Sequence, residues 1–271
     1  MNHLPFPEAT GDQIIIAQCK KAGWAVTEAR WLAAAALYRR FNGNPWKVSP
    51  ASFTKSEKKK LYALYDSRSQ GGPISRLRRP NTPFKSCPMC GSLGGRSVDH
   101  ALPRIFFPEF SVMRENLVPA CDMCNSTQKG DTYRGSRPER FIHPYYDRWA
   151  SQPLWRVAFQ PDLDVLQFEP VALPTLPRRK RIIVSFHVRN LLGADWRDSV
   201  RRAWTPMPSI LHRRLGACPT EQAVRAELEH QLKDSADFYG VNSWHAGFLR
   251  GVLADPLVVA KLTDLVRTLP V

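Results

Sequence analysis

Residues 87–131 read CPMCGSLGGRSVDHALPRIFFPEFSVMRENLVPACDMCNSTQKGD. Two C-x-x-C knuckles bound the chemistry of this stretch, Cys87 with Cys90 and Cys121 with Cys124, while Cys19 and Cys218 stand apart. Thiolates bind Zn²⁺ tetrahedrally, so two matched knuckles point to one four-cysteine site. Six cysteines are too few to staple a chain of 271 residues with disulfides. The pairs are separated by residues 91–120, 30 in all, more than the usual ~15–20 of a simple ribbon. Folded structure is therefore expected inside the loop. It carries Val98-Asp99-His100, then Arg104, then Glu115-Asn116-Leu117-Val118-Pro119, and the second knuckle runs into Asn125 and Lys129-Gly130-Asp131. Short apolar runs at 98–102 and 116–121 predict two strands, and 125–129 a short helix.

In this order the elements CPMC (87–90), VDHALP (98–103), ENLVPACDMCN (115–125) and KGD (129–131) resemble the HNH endonucleases, the ββα-metal nucleases. The resemblance spans about 50 residues and leaves both flanks unassigned. It implies that His100 is the general base that deprotonates water, a role that suits an imidazole with an ordinary pKa of about 6.5. It also implies that Asp99, on the opposite side of the strand, and Asn125, at the start of the helix, bind a divalent metal, and that Asn116 constrains the catalytic loop. The family's final His is Asn125 here, and an Asp and Asn oxygen pair favours Mg²⁺ or Mn²⁺ over softer ions. A separate structural Zn²⁺ would sit on Cys87, Cys90, Cys121 and Cys124. The resemblance implies a zinc-stapled ββα-metal core at 76–145; with the N-terminal helical arm at 1–75 and the mostly helical C-terminal region at 146–271 that the flanks' own residues suggest, the expected fold is α+β. The implied activity is one-metal hydrolysis of DNA phosphodiester bonds, in the manner of restriction or phage-defence nucleases, some of which work beside an ATPase subunit. The alternative is a non-catalytic, zinc-stapled nucleic-acid-binding or assembly subunit.

The flanks support a helical reading. Thr10 with Gln13, and Thr54 with Glu57, have capping-box spacing, and Gly23, Asn42 with Gly43, and Gly71 with Gly72 read as helix stops. Residues 71–86 form a basic linker containing Arg76, Arg78, Arg79 and Lys85. Beyond His143, prolines mark turns ahead of the run Ile182 to Val188, which reads as a buried strand. Helices are expected at 195–204, 220–235 and 255–269, the last capped by Asp255 with Pro256 in its first position.

Thirty-nine Lys and Arg against 24 Asp and Glu give a net charge of +15 and a pI near 9.9. A polyanion is the default partner. We expect DNA, with RNA as the second nucleic acid open to it; Arg104 and Lys129 are the candidate phosphate contacts, and Arg178, Arg179, Lys180 and Arg181 a candidate backbone track. No apolar run approaches the roughly 20 residues of a membrane-spanning helix. With no leader-like N-terminus and with paired thiols, the expected compartment is the reducing cytoplasm.

Overall fold

Helix α1 (Asp12–Ala22) ends at Gly23, whose φ of 68° suits a residue without a Cβ. Helix α2 (Ala25–Arg40) ends at Asn42 and Gly43, both also at positive φ. Helix α3 (Lys55–Ala63) opens with the expected capping box: Thr54 Oγ1 accepts from the Glu57 amide, and the Glu57 carboxylate accepts from the Thr54 amide. A 3₁₀ turn, Leu64–Asp66, follows it. The computed structural model describes residues 1–7, 12–66, 85–94, 97–163 and 165–270. The Thr10 cap, the stop at Gly71 and Gly72, and all but the last two residues of the 71–86 linker lie outside the described residues.

The fold is mixed α+β with two antiparallel two-stranded sheets among the described residues. Strand β1 (Ser97–His100) pairs with β2 (Leu117–Ala120) in a register that sets Asp99 opposite Val118 and His100 opposite Leu117. Strand β3 (Trp155–Phe159) pairs with β4 (Phe168–Ala172). The chain divides into two compact units.

One unit contains His3–Phe84 and Gly94–Trp149. Its core interleaves Ile15, Trp31, Tyr38 and Leu61 of the three helices with Val98, Leu102, Phe107, Phe110 and Leu117 of the β1–β2 segment. Two buried polar groups are matched across it: the Trp31 indole donates to the Glu109 carbonyl at 2.6 Å, and the Tyr145 hydroxyl donates to the Leu117 carbonyl at 3.2 Å. The N-terminal helices and the β1–β2 hairpin thus share one apolar interior.

The other unit contains Met1–Asn2, Lys85–Leu93 and Ala150–Val271. Helices α4 (Arg178–Leu191), α5 (Ala194–Trp204), α6 (Met207–Leu215), α7 (Glu221–Tyr239), α8 (Trp244–Ala254) and α9 (Pro256–Arg267) follow the β3–β4 hairpin. Helix α8 lies close on β3 because Gly247 and Gly251 leave room: a Cβ at Gly247 would meet the Trp155 ring at 2.4 Å, and one at Gly251 the Val157 carbonyl oxygen at 2.4 Å. Buried Asn242 takes the Leu154 amide on Oδ1 and donates Nδ2 to the Ala150 and Gln152 carbonyls. Asp255 caps α9 by accepting from the Leu257 amide, as its sequence position predicts.

The run Ile182 to Val188 is not a strand but the middle of α4. Its buried members Ile183, Val184, Phe186, His187, Val188 and Leu191 fall at i, i+1, i+3, i+4, i+5 and i+8, a helical stripe. A seven-residue apolar run carries too little period to separate the two readings. Helices α6 and α8 escaped the sequence patterns used for their neighbours. Among the described residues, no helix is long and apolar enough to cross a membrane.

Candidate active site and metal centre

The Sγ atoms of Cys87, Cys90, Cys121 and Cys124 are all buried and lie within 4.8 Å of one another. Tetrahedral Zn–S bonds of about 2.3 Å place sulfurs roughly 3.8 Å apart, which lies within that spacing. The local backbone favours thiolates: the Ser92 amide points at Cys90 Sγ and the Cys124 amide at Cys121 Sγ, each at 3.4 Å. The first knuckle turns on Gly91, at φ 85°, whose amide donates to the Cys87 carbonyl at 2.8 Å. This knuckle is braced by α4 and α8, where His187 Nε2 donates to the Met89 carbonyl and the Trp244 indole to the Cys90 carbonyl. The four-cysteine group could hold a zinc ion.

Asp99 and His100 end β1, and both are buried. The His100 amide donates to Asp99 Oδ1 at 2.7 Å. The His100 ring nitrogen Nε2 lies 2.9 Å from the Ser111 carbonyl oxygen. A carbonyl only accepts, so Nε2 carries the proton and Nδ1 keeps its lone pair. Burial pushes the imidazole pKa down to about 4, opposed by the Ser111 carbonyl, and leaves the ring neutral near pH 7. The Tyr65 ring lies edge-on to the imidazole at 4.6 Å between centroids.

Behind the strand, Lys129 is buried and its ammonium lies 2.7 Å from the His100 carbonyl oxygen and 3.1 Å from Asp99 Oδ2. The latter is an ion pair without hydrogen-bond alignment, so among the described residues Oδ2 has no hydrogen-bond donor. Burial pushes the Asp99 carboxyl up, against the lowering pull of Lys129 and the His100 amide. Asn125 lies on a wide π-helical turn, Cys124–Gln128, and its amide nitrogen donates to Ser97 Oγ at 2.7 Å at the start of β1. That turn sets Asn125 beside β1 while Lys129, at its end, reaches under Asp99 and His100.

Asn116 is fully buried and uses its whole amide. Oδ1 accepts from the Leu102 amide at 2.8 Å and the Tyr38 hydroxyl at 3.0 Å. Nδ2 donates to the Leu102 and Phe110 carbonyls at 3.0 and 3.2 Å. Its own carbonyl takes the Ala101 amide at 2.8 Å. The loop leaving His100 is thereby tied down at two successive residues.

A further relay lies behind Asn116. His143 Nδ1 accepts from the Tyr145 amide at 3.3 Å, which leaves the proton on Nε2, 2.9 Å from the Tyr38 hydroxyl. The hydroxyl accepts there and donates to Asn116. Tyr38, Ser111, Tyr65 and His143 were not legible as site residues, because each is separated from the motif in sequence or carries no motif spacing.

Of the basic candidates, Arg104 pairs with Asp66 at 2.8 Å and covers the Tyr62 ring, with 4.2 Å to its centroid. Arg178, Arg179 and Arg181 are exposed in the first turn of α4, which holds no acidic residue, while Lys180 is half-buried. Lys129 faces inward, as described.

No family model matches the chain, and no solved structure matches it. Protein ea31 of Escherichia phage lambda is 45% identical to it over 65 residues, 24% of this chain and 22% of that protein. The chain thus spans about a fifth of the length of the curated relative it matches.

Proposed function

We propose that the chain is a metal-dependent HNH-type endonuclease that hydrolyses DNA, with His100 as general base and Asp99 and Asn125 as metal ligands. The observation that carries this reading is the His100 ring: neutral, its tautomer set by the Ser111 carbonyl, and adjacent along β1 to the buried Asp99 carboxyl. An Asp and Asn oxygen pair is a donor set of the kind Mg²⁺ or Mn²⁺ prefers, and such an ion, if held by Asp99 and Asn125, would supply charge neutralisation at the scissile phosphate.

The rest of the mechanism belongs to the chain's own groups. His100 Nδ1 takes a proton from water as its oxygen attacks phosphorus, and the 3′ oxygen leaves with the electron pair of the broken P–O bond. Nε2 stays protonated against Ser111, so the imidazolium that forms is held by a carbonyl dipole. Asn116 fixes the loop after His100 and touches no substrate. Cys87, Cys90, Cys121 and Cys124 hold a structural Zn²⁺ in this reading. Restriction or phage defence, with an ATPase subunit as protein partner, is the biological setting proposed with it, by analogy at family level alone.

The test is supercoiled-plasmid cleavage in Mg²⁺, Mn²⁺ or EDTA by wild type, His100→Ala and Asp99→Ala, with zinc measured on each protein. Loss of a general base lowers cleavage by about 10²–10⁴-fold. Wild-type zinc content with no cutting in either metal refutes the nuclease reading. A second reading, a non-catalytic nucleic-acid-binding or assembly subunit, is favoured by one observation: the Lys129 ammonium already stands 3.1 Å from Asp99, a cation in place without a metal.

A further inference from the structure

We propose that the exposed face of α3 is a DNA-backbone track that leads the substrate to His100, an inference that rests on the nuclease reading and names how its site is fed. The helix reads KSEKKKLYA over 55–63. Lys55, Lys58, Lys59 and Tyr62 stand at i, i+3, i+4 and i+7, which gathers them on one face. All four are exposed, and Leu61 on the other side is buried.

Lys58 acts electrostatically on the Glu109 carboxyl. The helix's acidic residue, Glu57, is engaged with Thr54, Thr27 and Arg30, and among the described residues Lys55, Lys58 and Lys59 make no ion pair. A helix rises about 1.5 Å per residue, so Lys55 to Tyr62 spans roughly 10 Å, the length of about three nucleotide steps. A net charge of +15 favours a polyanion as the occupant of such a face.

The track ends at the candidate base. Tyr62 lies under the Arg104 guanidinium, Arg104 lies 5.2 Å from the Tyr65 ring centroid, and Tyr65 lies against His100. Ser111 fixes both ends of this arrangement: its hydroxyl donates to the Leu61 carbonyl of α3 at 2.5 Å, and its carbonyl accepts from His100 Nε2. One residue therefore positions the lysine face and the imidazole together. Asp66 neutralises part of Arg104, so the attraction for phosphate rests on the three lysines.

The test is binding of a fluorescent 30-base-pair duplex to the full chain in EDTA, from 50 to 200 mM KCl, by anisotropy. Lys55→Gln/Lys58→Gln/Lys59→Gln is compared with wild type and with the four-fold Gln variant of Arg178, Arg179, Lys180 and Arg181. Unchanged circular dichroism and zinc content establish that each variant is folded. Three lost phosphate contacts reduce the slope of log K against log salt by about 2–3. Across that salt range wild type then loses about 40-fold more affinity than the triple variant. A triple variant that keeps the wild-type slope overturns the track, and cutting by wild type in the same preparation shows that the nuclease reading survives. A wild type that binds through these lysines but cuts in neither Mg²⁺ nor Mn²⁺ keeps the track and refutes the nuclease.

Discussion

Replacing Asn116 by Ala removes four side-chain hydrogen bonds at once, to Leu102 N, Leu102 O, Phe110 O and the Tyr38 hydroxyl. A buried hydrogen bond contributes about 1 kcal/mol net, which gives about 4 kcal/mol for the set. A water entering the space of the lost amide restores part of this, so we expect a loss of about 3–4 kcal/mol. Two further variants divide the effect. Asn116→Asp keeps the acceptor for Leu102 N and Tyr38 but turns a carboxylate oxygen towards two carbonyls, and costs at least the two lost donors, about 2 kcal/mol. Tyr38→Phe breaks the link between Asn116 and His143 and costs about 1–2 kcal/mol. Equilibrium urea unfolding followed by tryptophan fluorescence, in excess zinc, reads all three; at an m-value of about 3 kcal/mol/M the Ala variant's midpoint falls by about 1 M. A loss below about 1 kcal/mol for Asn116→Ala would show that the loop after His100 is held by something other than this amide.

Purified protein is expected to carry one zinc per chain, and Cys121→Ser to lose it; wild-type zinc in that variant, read by elemental analysis, contradicts a four-thiolate site. Lys129→Met strips the buried partner from Asp99, and truncating one side of a buried ion pair costs about 3–5 kcal/mol; a melting temperature unchanged at pH 7 would mean that Asp99 is solvated in solution. Burial holds His143 at about 3, below its ordinary value near 6.5. The unfolded chain then binds the extra proton, so this stability is complete above pH 6.5 and is lost as pH falls towards 3, by up to about 1.4 kcal/mol per pH unit. His143→Gln should have the shallower stability profile between pH 7 and 5, and identical slopes would remove His143 as the cause. Gly91→Ala forces a side chain onto φ 85° with its Cβ 2.3 Å from the Asn242 carbonyl oxygen, and is expected to unfold the first knuckle, read as loss of zinc.

What was legible in the sequence was local. The Thr54 and Glu57 box, the stops at Gly23 and Gly43, the Asp255 cap and the four-cysteine group each depend on a few neighbouring residues or on identical spacing, and the structure shows them. Strands at 97–100 and 117–120 follow from short apolar runs in the same way. The Ile182–Val188 run failed because its helical period emerges only over the 14 residues of α4, with His187 buried by a carbonyl partner from residue 89. The roles of Tyr38 and Ser111 are long-range. Tyr38 meets Asn116 across 78 positions and Ser111 meets Leu61 across 50, and no periodicity encodes a pairing at that separation.

The long-range bonds alter what the N-terminal helices are for. Read as an arm, they are an appendage to a motif that already contains Asp99, His100, Asn116 and Asn125. In the folded unit, α2 supplies the hydroxyl that completes the Asn116 amide, and α3 supplies the carbonyl that orients the Ser111 hydroxyl, while the Ser111 carbonyl selects the His100 tautomer. In the proposed reading the motif provides the reactive groups, and Tyr38 and Leu61, outside it, bond to Asn116 and to Ser111, the residues that hold them. A neutral imidazole protonated on Nε2 is thus a property of the whole unit, and a change in α2 or α3 that leaves every motif residue intact can still disturb the candidate base.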